Sequence, residues 1–353
     1  MARNDVTGRP GGLLHPVAPM EASIAGALPQ GSGWQFEPKW DGFRCVASRQ
    51  GGKVELSGKS GKPLARYFPE MVEAIAAVKA DRFMLDGELA IALDGSLSFD
   101  ALQARLHPAE SRIRKLAATT PAMLILFDML VAPGGRSLID QPLTVRRDAL
   151  EQFFARHAGS SAFRLSPFSR DLRQARRWLS RAGGSLDGVV AKRLDEPYRS
   201  GERAMLKVKR LRTADCVVGG FRYATGTRAV GSLLLGLYDD DRRLDHVGFT
   251  SGFAALDRKA LTARLEALRG GSGFTGNAPG GPSRWTTERS AEWVPLRPDL
   301  VAEVRYDHVT GGRFRHGTMF LRWRPDKAPA QCTVDQLRSE AAPQRLMSML
   351  RGS

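Results

Sequence analysis

Glu37-Pro38-Lys39-Trp40-Asp41-Gly42-Phe43-Arg44 is the stretch on which the architecture turns, because it places a lysine in a predicted tight loop between two strands. Residues 34–37 enter the loop, and residues 43–47 leave it and continue through the turn Gln50-Gly51-Gly52 into a hairpin. An amine is a nucleophile only when neutral, and burial or nearby cations lower the pKa of a lysine towards that state. Lys39 is therefore a candidate nucleophile, although an ordinary surface lysine explains this stretch alone at least as well.

Around this stretch the sequence predicts an α+β layer built from antiparallel pieces. Apolar spacing predicts helices at residues 69–78, 99–106 and 144–157, with Thr144 as the N-cap of the last. The predicted strands cover residues 83–93, 123–128, 187–192 and 204–209.

The pattern changes after residue 212, where short β runs separated by glycine turns replace the helices. These runs lie at residues 216–221, 232–238, 246–250, 293–296 and 301–306, and one main helix is predicted at residues 256–268. Short strands in so small a region predict a β-barrel, and in a basic protein an OB-fold is the natural choice. We therefore predict two domains, residues 1–212 and 213–353.

The charge of the chain points to a polyanionic partner. Lys and Arg number 53 against 37 Asp and Glu, a formal net charge of +16, and 42% of the residues are hydrophobic. This composition excludes a mainly disordered chain and favours nucleic acid over a membrane, although a basic solvated surface is the plainer reading. Cys45, Cys216 and Cys332 are widely spaced and odd in number, which argues against a disulfide framework or a structural zinc site. No signal peptide or membrane span is predicted.

Further polar motifs follow Lys39 in an order that suits a nucleotide with a divalent metal. Carboxylates hold Mg²⁺, an aromatic ring stacks on a base, and cations hold phosphates. Each motif also has a plain structural explanation, as an exposed acid, a core ring or a solvated strand face. The motifs are Gly58-Lys59-Ser60-Gly61, Asp86-Gly87-Glu88, Phe127-Asp128, Asp187-Gly188-Val189-Val190-Ala191-Lys192, Lys207-Val208-Lys209 and Arg322-Trp323-Arg324-Pro325-Asp326-Lys327.

Together and in this order, the motifs resemble the covalent nucleotidyltransferase superfamily, and most closely its ATP-dependent DNA ligases. The resemblance runs from about residue 16 to residue 329, and the closing segment 305–327 is similar to the stand-alone bacterial ligases of the LigC type. It implies an adenylation (nucleotidyltransferase) domain with antiparallel sheets at residues 1–212, followed by an OB-fold domain with the terminal motif and tail at residues 213–353.

The resemblance also implies a role for each matching residue. Lys39 would be the catalytic nucleophile that takes AMP from ATP, and Glu88 and Asp187 would bind Mg²⁺ or Mn²⁺. Glu37 would contact adenine, Phe127 would stack on the base, and Glu88 would alternatively hold the ribose. The remaining nucleotide contacts would come from cations on the ribose and phosphate side and from a cluster that orients pyrophosphate, namely Arg44, Lys59, Lys207, Lys209, Arg322, Arg324 and Lys327.

Two positions depart from the commoner pattern of these ligases. Lys59 stands where arginine is usual, so a bidentate phosphate contact becomes a point-charge contact. Asp187 stands where glutamate is usual, and its carboxylate reaches one methylene less far. Both substitutions keep the sign of the charge.

The resemblance implies an enzyme that seals nicked double-stranded DNA in bacterial DNA repair, as a cytoplasmic monomer that joins the nucleoid when on DNA. Basic residues before and near the end of the barrel, such as Arg210 and Arg313, would contact DNA phosphates, so binding would follow nick structure rather than sequence. A repair polymerase or an end-binding protein would be a suitable partner. The alternatives are an RNA ligase or a GTP-using capping enzyme, and a nucleic-acid-binding relative without catalysis.

Overall fold

The computed structural model describes residues 16–157, 160–181, 186–253, 256–280, 292–337 and 350. Two compact units emerge, one reaching to Lys209 and the other beginning at Arg210. The predicted boundary at residue 212 lies close to this division. Leu350, which the sequence prediction assigned to the second domain, packs in a core cluster of the first unit with Phe36 and Trp178. Among the described residues, no helix is long and apolar enough to span a membrane.

Two sheets form the first unit. The smaller has the order β1-β10-β9-β2, and the larger has the order β4-β3-β5-β7-β8 with β6 paired to β5. The β1–β10 and β7–β8 pairs are parallel and the others are antiparallel. The strands are β1 (Ala22–Ile24), β2 (Trp34–Trp40), β3 (Phe43–Gln50), β4 (Lys53–Gly58), β5 (Arg82–Leu93), β6 (Ser96–Leu97), β7 (Ala122–Val131), β8 (Phe163–Leu165), β9 (Leu186–Arg193) and β10 (Met205–Val208).

Five described helices accompany these sheets, together with a 3₁₀ turn at Ala65–Tyr67. The main core of the unit joins residues of the larger sheet to apolar side chains such as Met71, Ile75 and Phe153 from the helices. The helices are α1 (Pro69–Ala76), α2 (Phe99–Ala104), α3 (Glu110–Thr119), α4 (Leu143–His157) and α5 (Leu172–Ser180).

The structure corrects the sequence prediction at two helix and strand boundaries. Helix α4 begins at Leu143, because the carbonyl of Pro142 already accepts hydrogen bonds from Val145 and Arg146, so Thr144 lies inside the helix and is not its N-cap. Strand β2 continues through Lys39 to Trp40, since its backbone stays paired with β9, so Lys39 lies at a strand end and not in the predicted loop.

The second unit is a β-barrel. Strands β11, β12, β13, β18 and β15 pair in that order, and β15 pairs back to β11, which closes a five-stranded ring. All neighbours are antiparallel except β13 and β18, and this closed small barrel is consistent with the predicted OB-fold. The elements are β11 (Arg212–Tyr223), β12 (Val230–Tyr238), β13 (Leu244–Gly252), α6 (Arg258–Glu266), β14 (Val294–Pro295), β15 (Val301–Tyr306), β16 (Val309–Thr310), β17 (Arg313–Phe314), β18 (Thr318–Trp323) and a 3₁₀ turn at Pro329–Gln331.

Candidate active site

Lys39 lies beside a carboxylate from the neighbouring strand. In the register of β2 and β9, Lys39 is opposite Gly188, and its Nζ lies 2.6 Å from Oδ2 of Asp187. Gly188 has a φ of +141°, and a Cβ at this position would lie 2.2 Å from the carbonyl oxygen of Val208, so only glycine fits between the strands. The backbone thus brings Asp187 to the amine.

One carboxylate oxygen of Asp187 forms ion pairs with two lysines. Lys209 Nζ lies 3.2 Å from the same Oδ2 that holds Lys39. Burial acts to raise the pKa of Asp187, but the ammonium groups of Lys39 and Lys209 hold it below its usual range. The other oxygen, Oδ1, is buried and has no hydrogen-bond partner in the described part of the chain. A buried carboxylate oxygen left open is a ready acceptor for a bound cation or donor.

Glu88 is the second carboxylate near Lys39. Burial raises its pKa to about 7, and the charges of Lys39 and Arg44 oppose this rise. Within the described ranges, no group of three or more His, Cys, Asp or Glu side chains could hold a metal by itself. Glu88 and Asp187 nevertheless fit Mg²⁺, which commonly uses one or two carboxylates and completes its shell with water and substrate phosphates.

Arg44 is fixed by a largely buried network. Its Nε and Nη2 donate to the two oxygens of Asp86, each at 2.6 Å, and the Tyr198 hydroxyl donates to Asp86 at 2.7 Å. Burial acts to lower the pKa of Arg44, but the charge of Asp86, the Tyr198 hydroxyl, the hydrogen bonds to Asp86 and the charge of Glu88 together outweigh burial and raise the pKa. The sequence interpretation assigned no role to Asp86 or Tyr198. Tyr198 lies 112 residues further along the chain than Asp86 and holds the carboxylate that fixes Arg44.

Replacement of Asp86 is expected to destabilise the first unit strongly. Asp86→Ala leaves the Arg44 guanidinium without its bidentate partner, and breaking a buried ion pair in this way costs about 3–5 kcal/mol. Native-state hydrogen exchange of the β3 and β5 amides in the full chain measures the change in opening free energy. The matched control is Glu110→Gln, which breaks an exposed pair with Arg114 and should change the same quantity by at most about 0.5 kcal/mol. Equal effects of the two variants would contradict the assigned network.

Phe127 and Glu37 form the predicted base side of the site. The ring centroid of Phe127 lies 4.5 Å from Cζ of Arg44 and 4.7 Å from Nζ of Lys192, so two cations contact the ring. Glu37 is buried, with Oε1 accepting from Gln35 at 2.8 Å and Oε2 paired with Lys192 at 2.7 Å. Lys192 belongs to the sequence motif of residues 187–192, but the sequence interpretation assigned it no role. It lies opposite Gln35 in the β2–β9 register, which no local pattern reveals.

A single cavity of about 1010 Å³ gathers most of the predicted residues of the first unit. Lys207 lies in this cavity, and partial burial together with the charges of Lys39, Lys209 and Lys59 lowers its pKa. Lys59 is largely exposed and pairs with Glu21 at 3.1 Å. The predicted residues that line the cavity are Glu37, Lys39, Arg44, Lys59, Glu88, Phe127 and Lys207, joined by Lys192. Asp187 and Lys209 adjoin it through their ion pairs.

The three remaining predicted residues lie on the second unit. Arg322 Nε donates to Glu303 at 2.6 Å across β18 and β15. Arg324 and Lys327 both pair with Asp215 of β11, at 2.9 and 2.7 Å. Asp215 was absent from the sequence prediction.

Two family models match the chain over most of its length. The model described as ATP dependent DNA ligase domain matches residues 17–209, and the model described as ATP dependent DNA ligase C terminal region matches residues 226–327. The first match covers both sheets of the first unit and includes Lys39, and the second covers most of the barrel and ends at Lys327.

Two curated proteins are similar over nearly their whole length. DNA ligase C2 of Mycolicibacterium smegmatis is 45% identical over 343 residues, which cover 93% of this chain and 96% of that protein. DNA ligase C of Mycobacterium tuberculosis is 42% identical over 341 residues, which cover 92% and 94%. Among solved structures, one from an analysis of Lig E DNA ligases aligns with a TM-score of 0.55 at 16% identity, over 87% of this chain and 100% of that chain. This last likeness concerns the fold alone.

Proposed function

The chain belongs to the ATP-dependent DNA ligases, and from this membership we propose that it seals nicks in duplex DNA through a lysyl-AMP at Lys39 and a DNA-adenylate. The observation that carries this proposal is the Lys39 amine, held 2.6 Å from Asp187 beside a cavity with cations and an aromatic ring. A nucleophilic amine, phosphate-binding cations and a base-binding ring are the parts that covalent transfer of AMP needs.

The proposed reaction has three steps, each exchanging one phosphorus bond for another. The Lys39 amine leaves its ion pair with Asp187, loses a proton and attacks the α-phosphorus of ATP, and the bond to pyrophosphate breaks. The 5′-phosphate oxygen at the nick then attacks the same phosphorus and displaces Lys39. In the last step the 3′-hydroxyl loses its proton, attacks the 5′-phosphorus and displaces AMP.

On the phosphate side, the cavity supplies positive charge close to Lys39. Lys207 and Lys209 flank the amine, and Lys209 shares Asp187 with it, so both are placed to hold the α-phosphate. Lys59 is exposed and free to exchange Glu21 for a phosphate group. Phosphoryl transfer depends mainly on such positioning and charge neutralisation.

On the base side, Phe127 offers a ring and Glu37 offers acceptor oxygens. A carboxylate has about four lone-pair positions, and Gln35 donates to one of those on Glu37 while Lys192 forms an ion pair with Oε2. The others remain for the amino group of adenine. Arg44, fixed by Asp86, would hold the ribose side.

Glu88 and Asp187 are the residues proposed to hold Mg²⁺ or Mn²⁺. The open Oδ1 of Asp187 and the carboxyl of Glu88, whose pKa burial raises to about 7, both gain a partner when a cation binds. The bound ion would neutralise the charge that develops on the phosphoryl oxygens.

The proposed DNA substrate is recognised by its backbone. The formal charge of +16 and arginines such as Arg210 and Arg315 favour phosphate contacts, which carry no sequence information. The same proposal has the protein act as a monomer in DNA repair in the bacterial cytoplasm. It would work at the nucleoid, beside a repair polymerase or an end-binding protein.

A sealing assay on matched nicks tests the proposed substrate. With Mg²⁺, the purified protein is expected to join a nicked DNA duplex when given ATP and to leave it unjoined when given GTP. The same duplex with an intact strand controls for contaminating nucleases. Joining only of an all-RNA nick would favour the RNA-ligase alternative, and a GTP requirement would favour the capping alternative. Binding without joining under any of these conditions would leave a non-catalytic relative.

A further inference from the structure

We propose that Asp215 is a positioning residue that holds Arg324 and Lys327 together as one cationic pair on the second unit. The proposal rests on the proposed function, in which Arg324 and Lys327 orient pyrophosphate while Lys39 is adenylylated. It adds a residue from outside the terminal motif, on a different strand and more than a hundred residues away in sequence.

The carboxylate of Asp215 contacts both cations at once. Arg324 Nη1 donates to Oδ1 at 2.9 Å and to Oδ2 at 3.0 Å, and Lys327 Nζ donates to Oδ2 at 2.7 Å. Two cations so close together repel each other, and a shared anion between them offsets that repulsion. Asp215 therefore determines the spacing of the pair.

Arg324 is held on its other edge as well. Its Nε and Nη2 donate to Asp326, with distances of 2.9 and 2.8 Å, so two carboxylates contact the guanidinium. Lys327 contacts Asp215 with one of three ammonium donors, and no other partner appears among the described residues. Lys327 is thus the cation of the pair with donors left for a phosphate, and Arg324 with Asp215 fixes its place.

The barrel wall fixes Asp215 itself. Asp215 lies in β11 opposite Glu303 of β15, and its side chain is only 12% exposed. Gln336 brackets its backbone, accepting from the Asp215 amide and donating to the Asp215 carbonyl, both at 3.0 Å. Because Asp215 is buried on a strand that is paired on both sides, its carboxylate has a fixed position. The side chains of Arg324 and Lys327 therefore take their positions from it.

A double-mutant cycle in the full-length protein tests this assignment. The variants are Asp215→Asn, Lys327→Ala and the double variant, with Asp215→Glu as the charge-conserving rescue. The matched control is Glu266→Gln, which breaks another carboxylate–arginine pair of the same unit, with Arg269 at 3.0 Å. The readouts are the rate of adduct formation against ATP concentration, the rate of sealing a nick that already carries the 5′-adenylate, and hydrogen exchange of β11.

Asp215→Asn is expected to slow adduct formation by about 10-fold, to leave sealing of the adenylylated nick within about 2-fold, and to be partly rescued in Asp215→Glu. Residues of one ion-pair network couple, so the double variant should be about as slow as Lys327→Ala alone, whereas independent effects would multiply. Glu266→Gln should match the wild type.

Four outcomes would overturn the assignment. Multiplied effects in the double variant, or adduct formation by Asp215→Asn at the wild-type rate, would remove Asp215 from the step while leaving the proposed function intact. Equal slowing of adduct formation and sealing, with faster exchange of β11, would make Asp215 a structural residue only. Normal adduct formation by Lys327→Ala would instead remove the proposed role of Lys327, and the inference about Asp215 with it.

Discussion

Lys39→Ala is expected to form no covalent adduct with ATP and to seal no nick from ATP. The variant keeps the cavity, Phe127 and the lysines proposed to bind phosphate, but it lacks the only protein atom proposed to bond to phosphorus. Loss of a catalytic nucleophile costs on the order of 10⁶-fold in rate, which is below detection in a gel assay. Gel separation of a labelled nicked duplex from the joined strand measures the loss.

Two further variants separate nucleophilicity from charge. Lys39→Arg retains a cation opposite Asp187, but a guanidinium stays protonated and is a poor nucleophile, so it should fail as Lys39→Ala does. Lys53→Ala removes an exposed lysine of β4 and should leave activity unchanged. Sealing from ATP by either Lys39 variant at a rate near that of the wild type would contradict the assignment of the nucleophile.

Lys327→Ala is expected to slow adduct formation by about 100-fold or more and to leave sealing of a pre-adenylylated nick nearly unchanged. Removing one preorganised donor for the developing charge in a transition state typically costs about 10²–10³-fold. The pyrophosphate leaving group is present only in the first step, so the loss should be confined to that step. Separate assays of adduct formation from ATP and of joining the adenylylated nick measure the two rates.

The control for this variant is Lys259→Ala, which removes an exposed lysine from α6 of the same unit. It should behave as the wild type in both assays. A Lys327→Ala protein that forms the adduct normally, or one that loses both steps equally, would contradict a role for Lys327 in orienting the leaving group.

Local patterns in the sequence were enough to predict most of the strands. The apolar run around residues 123–128 became β7, whose ten residues are all buried, and the glycine turn at residues 51–52 became the hairpin of β3 and β4. Strand β18 was read only as a motif. The alternation of apolar and polar residues along this strand is weak, because the outward-facing Met319 and Leu321 are apolar although they are exposed.

Helices α3 and α5 were not predicted, because each has many charged residues and only a short apolar face, so the helical periodicity of apolar residues is weak. In α5, arginines surround Ala175 and Trp178, which are its buried residues, and Asp171 caps the helix through the Arg173 amide. In α3 only Ile113 is fully buried. The cap and the i, i+3 spacing were the signals available for α5.

The types of residue and their order along the chain were enough to predict the chemistry of the site. They were not enough to predict which side chains contact each other. Lys39 and Asp187 meet because β2 and β9 pair in one particular register, and that register depends on the whole sheet. Asp86 with Tyr198, and Asp215 with Arg324, are more than a hundred residues apart in sequence. Such contacts come from tertiary packing, which has no local period to read.

The most direct test of a lysyl-AMP enzyme is the intact mass of the purified protein after incubation with Mg²⁺ and either ATP or GTP. Treatment with pyrophosphate beforehand removes any AMP already bound. We expect the wild-type mass to rise by one AMP with ATP and to stay unchanged with GTP, and the mass of Lys39→Ala to stay unchanged with either nucleotide. A GMP adduct, an AMP adduct that persists in Lys39→Ala, or no adduct on the wild type would contradict this expectation.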